Sequence, residues 1–544
     1  MGTGKNDLYD YDDGLTKAQR RQIRLRRRRR QILMLRIMTG IAAVVVVALS
    51  AVLATYLIRK NNALKAPLSG KEAVVSEESG SITGNDAVSD TPAEQSAVPE
   101  EEAALPAGPL SDGTQSGAPE ETPVPAKEAS AADADLLDQA AFLAAGYDYD
   151  GAIALLKGSG GYEGNAALTQ AVSDYEAARE RCVPVDVNTV PHIFYHSLIN
   201  DPGRAFNTEV LGQFAVDGMN AWMTTVEEFD RITQQLYDNG YVYVRLRDLV
   251  VETTGEDGRT HFEPNTHLML PPEKKAIVLS VDDLSYYHSY KPAGFPQKLV
   301  LDENGLVKCR YETADGSIET GDFDVVPRLN TFLREHPDGS YHGARGLIAL
   351  TGYNGVFGYR TDIDYEVREH LVEDQAQWRA EHPDFSRDRE IEEAKVIASA
   401  ILAEGWEFAS HTWGHISVTG VDAEKLRTDN EKWVNNVQNI VGPTDTIIFA
   451  HGNDIGDWQE YAPDNEKYQY YRSAGYAFYC NVDGSVPYWV QIRSDYVRQG
   501  RINLDGYMLY QASPGQTTVL DNLIDAGSVF DERRPTPVVA NGQG

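Results

Sequence analysis

From Pro184 onward the chain repeats one device: a short, mostly apolar run, a helix-length stretch, then another such run. The runs are Ile193–Tyr195, Tyr241–Val244, Ala276–Val281, Leu347–Leu350, Trp406–Ala409, Ile447–Ala450 and Tyr476–Tyr479. Continuous rather than alternating hydrophobicity marks strands covered on both faces, and helix-length connections suit parallel pairing. The pattern predicts an α/β fold with a parallel sheet or barrel, with helices around Val226–Asn239 and Glu390–Glu404. Leu299–Tyr311 reads as an inserted β-hairpin turned at Asn304-Gly305.

Parallel α/β folds build their sites at the carboxyl ends of strands. Four apolar runs end in ionisable groups: His196; Asp282 with Asp283; His411 with His415; and His451, followed by Asp454 and Asp457. Adjacent carboxylates repel, so Asp282-Asp283 is most easily tolerated where a cation or a proton transfer uses it. His411-Thr412-Trp413-Gly414-His415 spaces two imidazoles by four residues, which on a helical turn places both on one face, as in zinc sites. Thr412 stands where a zincin has its glutamate base, so a base must come from elsewhere. Two histidines and one carboxylate leave an open metal position, the pattern of a catalytic rather than a structural site. The three cysteines, Cys182, Cys309 and Cys480, exclude a disulfide scaffold and a CxxC-type zinc site.

The N-terminal third is of another kind. Residues 1–31 carry ten Lys and Arg against four Asp, within a chain of net charge -33. That acidity argues against a nucleic-acid partner. Ile37–Ile58 holds 22 residues without a charge, enough to cross a bilayer. We expect a basic cytoplasmic tail (1–36), one transmembrane helix (37–58) acting as a signal anchor, and a C-terminal part outside the cell membrane, by the positive-inside rule. Between Tyr56 and Phe142 there is no aromatic residue, and Ala, Ser, Pro, Gly and Glu dominate, which predicts a disordered acidic linker over 59–130. Residues 131–183 read as a short tetratricopeptide-like helical hairpin with a glycine break at 158–164.

Over residues 184–544 the motifs resemble the polysaccharide deacetylases of carbohydrate esterase family four, the NodB-homology domain. Leu279-Ser280-Val281-Asp282-Asp283 is similar to the family's LTFDDG motif, and Ser410-His411-Thr412-Trp413-Gly414-His415 to its HSxxH or HTxxH motif. Gly405-Trp406-Glu407-Phe408-Ala409, Phe194-Tyr195-His196 and Gly475-Tyr476 fall where the family has similar residues. The resemblance implies an irregular (β/α) barrel of about seven strands and a divalent metal, Zn2+ foremost, on Asp283, His411 and His415. It also implies Asp282 as catalytic base and a polysaccharide or peptidoglycan-type substrate of the cell wall.

Three departures stand out. Leu284 and Val281 replace the motif's glycine and phenylalanine, and Phe449–Trp458 replaces its arginine-bearing third motif. The late Leu-x-His is missing, because His451 is the last histidine. His451 is therefore the expected general acid, with His196 second; His196, Trp413 and Trp458 are candidate substrate contacts. The expected reaction is metal-dependent removal of acetyl groups from N-acetylated or O-acetylated glycan. The alternatives are an inactive glycan-binding or scaffold protein and a glycosidase with paired carboxylates, which adjacent Asp282 and Asp283 suit poorly. The glycan, the cysteine pairing and the oligomeric state stay open.

Overall fold

The computed structural model describes residues 131–256 and 258–540. The expected basic tail, membrane helix and linker lie outside them. Among the described residues no helix is long and apolar enough to cross a membrane.

Seven parallel strands close into a barrel in chain order. They are β1 (His192–Tyr195), β2 (Lys275–Asp282), β3 (Leu347–Leu350), β4 (Glu407–Ser410), β5 (Thr446–Ile448), β6 (Phe478–Val482) and β7 (Tyr496–Asn503). Each pairs with the next, through registers such as Ile193 with Leu279 and Leu347 with both Ser280 and Glu407. Ile502 against Ile193 closes the ring from β7 to β1. Helices connect the strands: α4 (Val226–Asp238), α5 (Val325–Glu335), α6 (Arg387–Ala403), α7 (Ala423–Trp433) and α8 (Glu466–Ser473), with α9 (Gly506–Ala512) after β7. Three further helices, α1 (Ala131–Ala145), α2 (Tyr149–Lys157) and α3 (Ala166–Arg181), precede the barrel.

Because strand side chains alternate, each strand feeds two cores. Leu347, Ala349, Ala409, Ile448, Phe478 and Cys480 form the apolar part of the barrel interior. Ile193, Leu279, Val281, Ile348 and Leu350 face outward against α4, α5 and α6. Helix α4 shows why a stretch becomes a helix here: Thr225 and Glu228 form a reciprocal capping box, and Phe229, Ile232 and Leu236 then recur at helical spacing and are buried. Each of those side chains contributes roughly 1.5–3 kcal/mol by burial.

The structure refines several expectations. Tyr241–Tyr243 is a strand, but it pairs with β2 outside the ring. The sixth strand runs Phe478–Val482 rather than Tyr476–Tyr479. The seventh, β7, comes from no apolar run: its sequence Tyr-Val-Arg-Gln-Gly-Arg-Ile-Asn is mostly polar yet buried. The hairpin forms between Lys298–Leu301 and Val307–Glu312, with Gly305 at φ 77°, and gains a third strand, Ile318–Gly321. Residues 131–181 fold as three helices with their own core of Ala140, Leu156, Leu168 and Val172. They dock onto the barrel domain through Tyr147 Oη to the Asp338 carbonyl and the His342 N–H to the Gly146 carbonyl. All three cysteines are buried free thiols.

Candidate metal centre

Asp282 is the last residue of β2 and points into the barrel; Asp283 follows with φ 57°. That left-handed turn separates the two carboxylates. Asp282 meets the Arg501 fork from β7, Oδ1 to Nη1 at 2.8 Å and Oδ2 to Nη2 at 2.9 Å, with both side chains almost fully buried. Burial alone pushes the Asp282 carboxyl up; Arg501, and His411 after it, reverse this and hold it far below the usual carboxylate range. Asp283 is also raised by burial and lowered, by a greater amount, by His415, His411 and His196.

His411 leaves the end of β4 fully buried. Its Nδ1 lies 2.8 Å from the Ile448 carbonyl, which only accepts, so Nδ1 carries the proton and Nε2 is left with a free lone pair. Burial pushes its pKa down to about 4, so the ring is neutral, as a metal ligand must be. His415 reaches the same place by a loop rather than a helical turn, a correction to the expected geometry: Thr412 has φ 61° and His415 φ 48°. Asp429 of α7 clamps that loop, accepting from Trp413 N at 2.7 Å and Gly414 N at 3.0 Å. The His411 and His415 rings end 5.0 Å apart.

Ligand atoms of Asp283, His411 and His415 all lie within 4.8 Å of one another. Tyr287 Oη donates to Asp283 Oδ1 at 2.9 Å and lies 2.9 Å from Thr351 Oγ1, which leaves Asp283 Oδ2 turned toward His415 at 3.6 Å. Two imidazoles and one oriented carboxylate oxygen fit zinc. The second carboxylate, Asp282, stands beside the group, its Oδ2 3.8 Å from His411 Nε2.

The remaining expected residues are placed around this centre. His451, exposed and at φ 59°, sets Nε2 3.1 Å from the His415 carbonyl, with its ring 4.3 Å from that of His415. Burial and His415 lower its pKa. His196, half-buried, follows β1 and is near enough to Asp282 and Asp283 to help lower both carboxyls. Trp413 packs on the outer core under Lys432 Nζ at 4.0 Å, so close to Gly352 that any Cβ there would collide with the indole. Trp458 is 75% exposed. Asp454 is taken up by a buried ion pair with Arg498. Sequence reasoning did not find Arg501, Asp429 or the Tyr287 hydroxyl. Arg501 acts across 219 residues, which leaves no local signal.

A closed parallel barrel carrying a two-histidine, one-carboxylate group at the carboxyl ends of its strands defines the class: a (β/α)-barrel protein with a candidate metal centre. No family model matches the chain, and no curated protein matches it. Among solved structures, the Streptococcus pyogenes deacetylase PplD in complex with acetate is similar at 13% identity, over 60% of this chain and 98% of that one, with a TM-score of 0.29.

Proposed function

We propose that the chain is a metal-dependent deacetylase that hydrolyses the acetamide of an N-acetylated cell-envelope polysaccharide. The observation that carries this reading is the division of labour between adjacent carboxylates: Asp283 faces His411 and His415, while Asp282 is held apart by Arg501. When bound by Asp283, His411 and His415, zinc would activate water and polarise the acetyl carbonyl. Asp282, kept ionised by Arg501, retains a second lone pair on each oxygen and accepts the proton of the attacking water. His451 then donates a proton to the leaving amine nitrogen, with His196 as the second candidate. Amide and water become amine and acetate. Exposed Trp458, and Tyr353 stacked on Tyr287 at 5.2 Å, offer flat faces for sugar rings. Trp413, packed inward, shapes the loop instead.

The test is acetate release from N-acetylated oligosaccharides. Wild type is expected to release acetate and free amine, and Asp282→Asn to lose at least a hundredfold in kcat. Full activity in Asp282→Asn, or new reducing ends in place of amine, contradicts the reading. Comparing His451→Ala with His196→Ala assigns the acid. We further propose a single membrane anchor at residues 37–58 with the barrel outside the cell, supported by the uncharged run and its basic flank. Retention in the membrane fraction, lost on deleting residues 1–60, is the expected result.

A further inference from the structure

Beneath Asp282 the barrel interior is polar. His192 of β1, Ser280 of β2, and Gln499 and Arg501 of β7 are all fully buried there. The proposed reaction does not touch three of them, and hydrogen bonds join them to Arg501. Gln499 Nε2 donates to the Val190 carbonyl at 2.9 Å, so its amide presents Oε1 on the other side, where His192 lies. His192 Nε2 is 3.0 Å from Ser280 Oγ, and Arg501 Nη1 is 3.1 Å from the same oxygen. A guanidinium only donates, so Ser280 accepts from Arg501 and keeps its one proton free to give to His192 Nε2. With that proton on Nε2's side, His192 carries its own on Nδ1. Both Nδ1 and Gln499 Oε1 lack any partner within strict hydrogen-bond geometry, so each is the natural complement of the other, directly or through one water.

Arg501 Nε is also without a partner. Apart from Asp282, the guanidinium is therefore held by the Ser280 hydroxyl and by the Phe194 ring 4.1 Å away. We infer that Gln499, His192 and Ser280 form a one-directional chain of positioning residues that fixes the Arg501 fork and, through it, the carboxylate plane of Asp282. This rests on the reading of Asp282 as the base. A buried network kept only for packing would have no reason to run, donor to acceptor, from Arg501 to the Val190 carbonyl.

The test uses the full chain loaded with zinc. Selective 15N-histidine labelling, with His192 assigned by the signal lost in His192→Gln, is expected to show the neutral Nδ1–H tautomer; an Nε2–H tautomer or a charged ring overturns the chain. Ser280→Ala is expected to lower kcat for acetate release from an N-acetylglucosamine oligosaccharide by about tenfold or more, with KM and zinc content unchanged. Ser280→Thr, which keeps the hydroxyl, should recover most of that loss. Gln499→Met gives a second variant, expected to lower kcat severalfold with the same unchanged KM. Wild-type kcat in Ser280→Ala or Gln499→Met overturns the positioning role. A wild type that releases no acetate removes the base from Asp282, whereas the tautomer of His192 is read independently of activity.

Discussion

At Asp283 a non-glycine residue sits at φ 57°, a conformation that costs roughly 1–2 kcal/mol, and the return is that two like charges one residue apart point to different partners. The pair's identity is local, and so is the spacing of His411 and His415, which is why these four residues were legible in the sequence. Their partners were not. Arg501 lies 219 residues from Asp282, and only closure of the barrel brings them together. Removing Arg501 leaves a buried carboxylate without compensation, so Arg501→Met is expected to lose about 3–5 kcal/mol by urea unfolding. The double variant Arg501→Met with Asp282→Leu should recover a large part of it. Tyr287 acts on the site through its hydroxyl, which holds Asp283 Oδ1. Tyr287→Phe frees Asp283 Oδ1 and is expected to weaken zinc binding about tenfold by calorimetry while leaving the fold intact.

Among elements, β7 explains where strand reading failed. Its inward residues Gln499, Arg501 and Asn503 are polar because they serve the polar part of the barrel interior, and Arg498 on its outer face ties down the loop after β5 through Asp454 and two carbonyls. A search for apolar runs passes over such a strand, although all its neighbours were found within a few residues. A second element-scale device is the start of α5. Asp324 caps it, accepting from Val325 N and also from Leu198 N, and so ties α5 to the segment carrying His196. Burial raises the Asp324 pKa to about 6. The folded state then binds its proton more tightly than the unfolded chain, so the stabilising contribution is full below about pH 4 and is lost as pH rises through about 6. Asp324→Asn keeps the caps without the charge. Relative to wild type, its unfolding free energy should therefore improve by on the order of 2–3 kcal/mol between pH 4 and pH 7, measured by denaturant titration at each pH.

For the whole molecule, the parallel α/β architecture was legible because alternating apolar runs and helices permit few topologies, and the family resemblance implied about seven strands; which seven close the ring came from strand order in space. Helices α1–α3 bury a small core of their own and are joined to the barrel domain by few polar contacts, so their removal should cost stability more than zinc affinity. The metal centre draws its ligands from β2 and β4, with Arg501 arriving from β7 and Ile448 from β5, so it depends on the closed ring as a unit. The most direct measurement is the zinc content of the purified chain after reconstitution and dialysis, for wild type and for His411→Ala. The account predicts about one zinc per wild-type chain and almost none in the variant at unchanged fold. A wild type that holds no zinc, or a variant that holds as much as wild type, would contradict it.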